Sequence, residues 1–167
     1  MEANAFIVFG LPGTGKTYFS EKLAVDIGAV HLNTDKVRMK YNKEGQYDRE
    51  TKEFIYEQLK KEMKEHLQEQ DDVIIDGTFH KQQRRMEFAE CISELAANLF
   101  FIEMKAEDQV IRKRMEDERK YSEADYSVYL KIKENFEPFQ GEHLTLWSNN
   151  RNLNELIRKV KDRKSVV

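Results

Sequence analysis

The chain has 167 residues, with 28 basic against 31 acidic side chains, a net charge of −3 and only 2 prolines. That length fits one folded domain with a real core, and the near-balanced charge does not suit a protein built to coat bulk nucleic acid. No apolar run reaches the roughly eighteen residues of a membrane helix, no basic leader precedes the first apolar stretch, and the lone Cys91 predicts a packing role in a reduced, cytoplasmic setting.

Phe6 to Phe9 is a continuous apolar, β-prone run and predicts a buried strand. The next eight residues, Gly10-Leu11-Pro12-Gly13-Thr14-Gly15-Lys16-Thr17, fit the phosphate-cradling pattern G-x-x-x-x-G-K-[ST]. Glycines let the backbone wrap an anion with its N–H groups pointing inward, and the helix that follows aims its positive end at the same place. Phe19, Leu23 and Ile27 recur at helical spacing behind the loop, as that arrangement requires. The candidate nucleotide contacts are therefore Gly10, Pro12, Gly13, Thr14, Gly15 and Tyr18, with Lys16 reaching the β and γ phosphates and Thr17 holding magnesium through its hydroxyl.

Gly28 reads as a helix stop, and Ala29 to Leu32 as a second strand. Asp35 follows at that strand's carboxyl end, where parallel sheets place their ligands. Two readings stand side by side: Asp35 as a reacting carboxylate, or as the N-cap of a short helix over Lys36 to Tyr41 that carries Arg38. Asn42 to Asp48 reads as an exposed loop, and Arg49 to Glu69 as an amphipathic helix with Ile55, Leu59, Met63 and Leu67 at steps of four.

Asp72 to Asp76 is another apolar strand closing on an acid, the Walker B arrangement, in which Asp76 holds a magnesium-bound water beside Thr17; its alternative is a turn or cap aspartate. Gly77 to Gln82 reads as a loop, and Arg84 to Ala97 as a helix with Phe88, Ala89, Ile92, Leu95 and Ala96 inward. A strand over Leu99 to Met104 precedes a helix over Glu107 to Arg119, whose Arg112, Arg114 and Arg119 form either a solvated basic face or a phosphate-facing lid. Ser122 to Phe136 is a further helix, His143 to Trp147 a fifth strand and Leu153 to Lys164 a closing helix. The four histidines lack metal-ligand spacing and read as structural or surface residues, His80 alone being placed near a substrate.

Strands alternating with helices give an α/β protein with a parallel sheet covered on both faces. The sequence lacks the N-K-x-D motif of a GTPase and has no room for the added helical unit of a motor ATPase. GLPGTGKT, AVHLNTDKVR, VIIDGTF and VIRKRMEDERKYSEADYSVY, in that order, resemble the predicted-kinase family of P-loop ATP-binding proteins with an AAA-type kinase-like domain. Its relatives are polynucleotide 5'-kinases, chloramphenicol phosphotransferase and zeta toxins. The resemblance implies a three-layer P-loop fold with a five-stranded parallel sheet in the order 2-3-1-4-5 and a helical lid over about residues 107–137. It also implies Asp35 as general base, Arg38 in contact with substrate or the reacting phosphate, Asp76 as the Walker B acid, and Arg114 and Arg119, with Arg112 beside them, as lid arginines. Departures at Asn33-Thr34, Gly77 and Lys113 leave ATP binding untouched and bear on the lid contacts and the acceptor.

The expected activity is ATP- and magnesium-dependent phosphoryl transfer to a small hydroxyl-bearing molecule. Two alternatives have different signatures. A nucleic-acid 5'-hydroxyl kinase needs a basic groove, for which Lys36, Arg38, Lys40, Lys81, Arg84 and Arg85 are the candidates. An ATP-binding regulatory module without an acceptor has no need of Asp35.

Overall fold

The computed structural model describes residues 1–117 and 123–166. Five strands, β1 (Asn4–Phe9), β2 (Val30–Asn33), β3 (Val73–Gly77), β4 (Asn98–Lys105) and β5 (Leu144–Trp147), form one sheet in the order β2-β3-β1-β4-β5. Every pairing is parallel, with Phe6 beside Ile74 and Phe100, and Asn33 beside Asp76. The expected fold and strand order are those observed.

The helices are α1 (Lys16–Ile27), α2 (Thr34–Lys40), α3 (Arg49–Gln68), α4 (Gln82–Ser93), α5 (Asp108–Asp117), α6 (Glu123–Asn135) and α7 (Leu153–Val166). Side chains alternate along β1, so Ile7 and Phe9 join the core under α3 and α4, while Phe6 and Val8 join the core under α1 and α7. Burial on both faces explains why β1 and β3 are apolar without alternation. On the second face, Leu156, Ile157 and Val160 of α7 close over Phe6 and Ile102. Lys164 Nζ anchors the same helix to Asp72 at 3.0 Å.

Two helices depart from their expected form. α4 starts earlier and stops at Ser93, because the chain turns through Ala96 at φ 52°. Its inward stripe is Arg85, Phe88, Cys91 and Ile92, while Ala96 is exposed. α2 begins at Thr34 because Asn33 caps it, accepting the Lys36 N–H on Oδ1 at 2.7 Å. The cap reading of Asp35 is thereby overturned.

Candidate active site

The turn after β1 wraps because its glycines occupy backbone space closed to other residues. Gly13 and Gly15 sit at φ 81° and 88°, and a Cβ on Gly13 would lie 2.9 Å from Ile111 Cγ2. At Gly10 a Cβ would lie 2.3 Å from the Met104 carbonyl oxygen, so loop and β4 backbones touch directly. Thr14, fully buried, donates its hydroxyl to the Leu11 carbonyl at 2.8 Å and braces the loop from within. Tyr18, one residue past Thr17 on α1, is exposed, and Pro12 lies at the crest of the turn.

Lys16 opens α1 and folds back over the loop, donating to the Leu11 carbonyl at 2.9 Å. Burial pushes its ammonium down to about 8, against the opposing pull of the Asp76 and Asp35 carboxylates. Asp76 also accepts the Thr17 hydroxyl at 3.1 Å on Oδ1. A hydroxyl and a carboxylate oxygen so placed are hard donors of the kind magnesium takes, so the residues present fit that ion.

Asp35 stands on the first turn of α2 with its side chain 75% exposed, and its nearest charged partner is Arg38, at 3.5 Å. Arg38 is buried, donates to the Gln46 carbonyl at 3.3 Å and lies 4.5 Å above the Tyr47 ring. It thus ties α2 to the loop between α2 and α3.

The arginines of α5 separate. Arg114 reaches the phosphate loop, donating to the Gly13 carbonyl at 2.9 Å, to Ser148 Oγ at 3.2 Å and to Asn150 Oδ1 at 3.1 Å. Ser148 in turn donates to the Thr14 carbonyl at 2.7 Å. Arg112 instead pairs with Glu116 and stacks 5.2 Å from Tyr126, away from the loop. Arg119, and Ser122 at the start of the expected sixth helix, lie outside the described residues.

Sequence reasoning missed Ser148, Asn150 and His31. The first two stand on the turn after β5, which carries no recognisable pattern. His31, read as structural or surface, is only 6% exposed in its side chain and sits between Asp76 Oδ2, at short hydrogen-bond range, and the Lys36 ammonium, 2.8 Å from Nδ1. Its signal is the β2–β3 register: His31 pairs with Ile74, and Asp76 lies two residues on, on the same face.

The family model described as an AAA domain matches residues 6–139, from β1 to just past α6. The chain belongs to that family. No curated protein matches the sequence. Solved structures similar to this family member include the APS kinase of Mycobacterium tuberculosis, in complex with AMPPNP and APS, at 14% identity, TM-score 0.78 and 96% coverage of both chains. A sugar kinase from Janibacter gives 16% identity and TM-score 0.72 over 96% of this chain and 93% of its own. A gluconokinase from Sinorhizobium meliloti gives 19% and 0.68 over 93% and 88%. At these identities the likeness establishes the fold, that of P-loop kinases.

Proposed function

We propose that this AAA-domain protein is an ATP- and magnesium-dependent phosphotransferase that moves the γ-phosphate of ATP to a hydroxyl of a small molecule. The observation that carries the reading is a glycine loop with Lys16 folded over it and Thr17 bonded to the Asp76 carboxylate, next to the strand end where α2 presents the exposed Asp35. An anion site needs the lysine and the loop; only transfer to an acceptor needs the second acid.

The loop N–H groups and Lys16 bind the triphosphate, whose charge replaces the bond that Lys16 now makes to Leu11. Thr17 and Asp76 would hold magnesium, which when bound neutralises charge on the phosphate oxygens. Asp35 accepts the proton of the acceptor hydroxyl at a carboxylate oxygen while the new oxygen–phosphorus bond forms and the bond to the ADP oxygen breaks. Such base catalysis is worth roughly 10²- to 10⁴-fold, or about 3–5 kcal/mol at 1.36 kcal/mol per decade. The lid role belongs to Arg114 and Arg119, and Arg38 sets the acceptor loop.

The polynucleotide alternative loses support from its own groove residues. Arg84 is engaged by Glu53 and Glu87, Lys40 by Glu62, Lys81 by Glu137, Arg38 by Asp35 and Lys36 by His31. Arg85 is fully buried among the rings of Phe9, Phe136 and Phe139. A strand would have to break these contacts to gain phosphate contacts of similar kind. Small-molecule chemistry agrees with the structural neighbours that are named as sugar and gluconate kinases. A cytoplasmic setting agrees with the single cysteine, Cys91, buried with its thiol pushed up by desolvation.

The deciding experiment incubates the protein with γ-labelled ATP and magnesium against sugars, nucleosides, amino alcohols, antibiotics and a 5'-hydroxyl oligonucleotide. Label on a small hydroxyl compound, lost in Asp35→Asn, is the expected result. Label on the oligonucleotide alone would transfer the assignment to the nucleic-acid kinases.

A further inference from the structure

We infer that His31 is a positioning residue: it locks the Asp76 carboxylate so that one oxygen stays turned toward Thr17, and it makes that orientation depend on α2. The inference rests on the phosphotransferase reading of the site.

The bonding pattern leaves His31 a single arrangement. The Lys36 ammonium has donors and no acceptor, so its 2.8 Å contact makes Nδ1 of His31 the acceptor. The proton of the neutral ring is then on Nε2, facing Asp76 Oδ2. A carboxylate held on Oδ2 by a ring donor cannot exchange its two oxygens by rotation, so Oδ1 remains at the Thr17 hydroxyl. Residues that fix a metal-binding group from behind in this way change metal affinity or activity by about 10- to 100-fold when removed.

A packing role alone does not account for this geometry. An apolar side chain would fill the space between β2 and β3 equally well, and at this burial a histidine with both nitrogens bonded between a carboxylate and an ammonium is a polar relay. Lys36 lies one residue from Asp35 in the turn capped by Asn33, so the relay joins the helix bearing the proposed base to the carboxylate of the magnesium site.

The test compares His31→Leu, which keeps volume and removes both bonds, with His31→Gln, whose amide donates to Asp76 and accepts from Lys36. Manganese affinity of the full chain with AMPPNP is read by electron paramagnetic resonance, and nucleotide affinity without metal by fluorescence of a labelled ATP in EDTA. His31→Leu should weaken manganese binding roughly 10- to 100-fold with metal-free nucleotide affinity within about twofold, and His31→Gln should recover to within about threefold. Wild-type manganese affinity in His31→Leu overturns the inference, as does a loss in a normally melting His31→Gln as large as in His31→Leu. Should His31→Leu fail to fold, Lys36→Met decides: it leaves the ring in place without its ammonium partner, weakened manganese binding supports the relay, and wild-type binding refutes it. A wild-type protein that binds manganese and AMPPNP but labels no acceptor sinks the kinase reading and leaves this inference standing.

Discussion

Asn33 accepts the Lys36 N–H and so takes the capping role at the start of α2 from Asp35, two residues further on. The carboxylate is left exposed, with Arg38 as its neighbour. Stability and chemistry are thereby assigned to different side chains of one turn, and the two can be separated by mutation. Asn33→Ala should lower unfolding stability by about 1 kcal/mol, seen in urea denaturation. Asp35→Asn should leave the urea midpoint nearly unchanged and reduce turnover a hundredfold or more at little change in ATP affinity. Equal turnover in Asp35→Asn and wild type would remove Asp35 as the base.

Lys16 sets a pH limit on nucleotide binding. Its ammonium is held down to about 8 in the free protein, so it is charged below that pH and neutral above it. A triphosphate favours the charged form, so ATP affinity should be flat below pH 8 and fall as pH rises through it, by up to about tenfold per unit. Calorimetry at pH 8.5 should show proton uptake on binding, absent in Lys16→Met. For folding the sign is opposite: the depressed lysine costs stability while charged, and that cost is relieved as pH rises from about 8 toward the unfolded value near 10.5.

Gly13 faces two separate obstacles to substitution. Alanine there must adopt φ near 81° and place its Cβ 2.9 Å from Ile111. The backbone strain alone is about 1–2 kcal/mol. Gly13→Ala should lose nucleotide binding, and adding Ile111→Ala should relieve the overlap while the strain persists, giving partial recovery in an equilibrium binding assay. Full recovery would show that the close contact, and not the backbone, makes glycine necessary.

Arg114 bonds to the loop, to Ser148 and to Asn150 at once, and burial lowers its pKa from the ordinary guanidinium value. Arg114→Lys offers a single ammonium in place of this fork and cannot span the three acceptors. Amide exchange over α5 should quicken in that variant while the α3 core exchanges as before. Unchanged exchange in α5 would mean that Ile111 packing holds the helix unaided.

Much of this was legible in the sequence because it depends on local pattern. The glycine loop has fixed spacing, β1 and β3 are apolar because both their faces are covered, and the sheet order follows from the family resemblance. What escaped depends on pairing across the chain. Arg85 takes an inward position on α4 because Phe9, Phe136 and Phe139 surround its guanidinium and Phe79 offers a carbonyl at 2.7 Å, and no periodicity rule places a charge there. His31 is decided by strand register and Ser148 by a contact across 134 positions, neither of which composition records. The cap expected at Asp35 falls on Asn33, a residue type that caps about equally well, so local propensity alone does not separate the two positions.

The match to the family stops at residue 139, but the second face of the sheet is finished by α7 and β4 acquires its outer partner only at Leu144. A fragment trimmed to the homology limits would lose Leu146, Leu156, Ile157 and Val160 from the core they share with Phe6 and Ile102, and with them the hydroxyl that bonds the Thr14 carbonyl. The family match is therefore shorter than the unit that folds, and residues 140–166 supply the strand, the helix and the hydroxyl that complete the sheet and reach the phosphate loop.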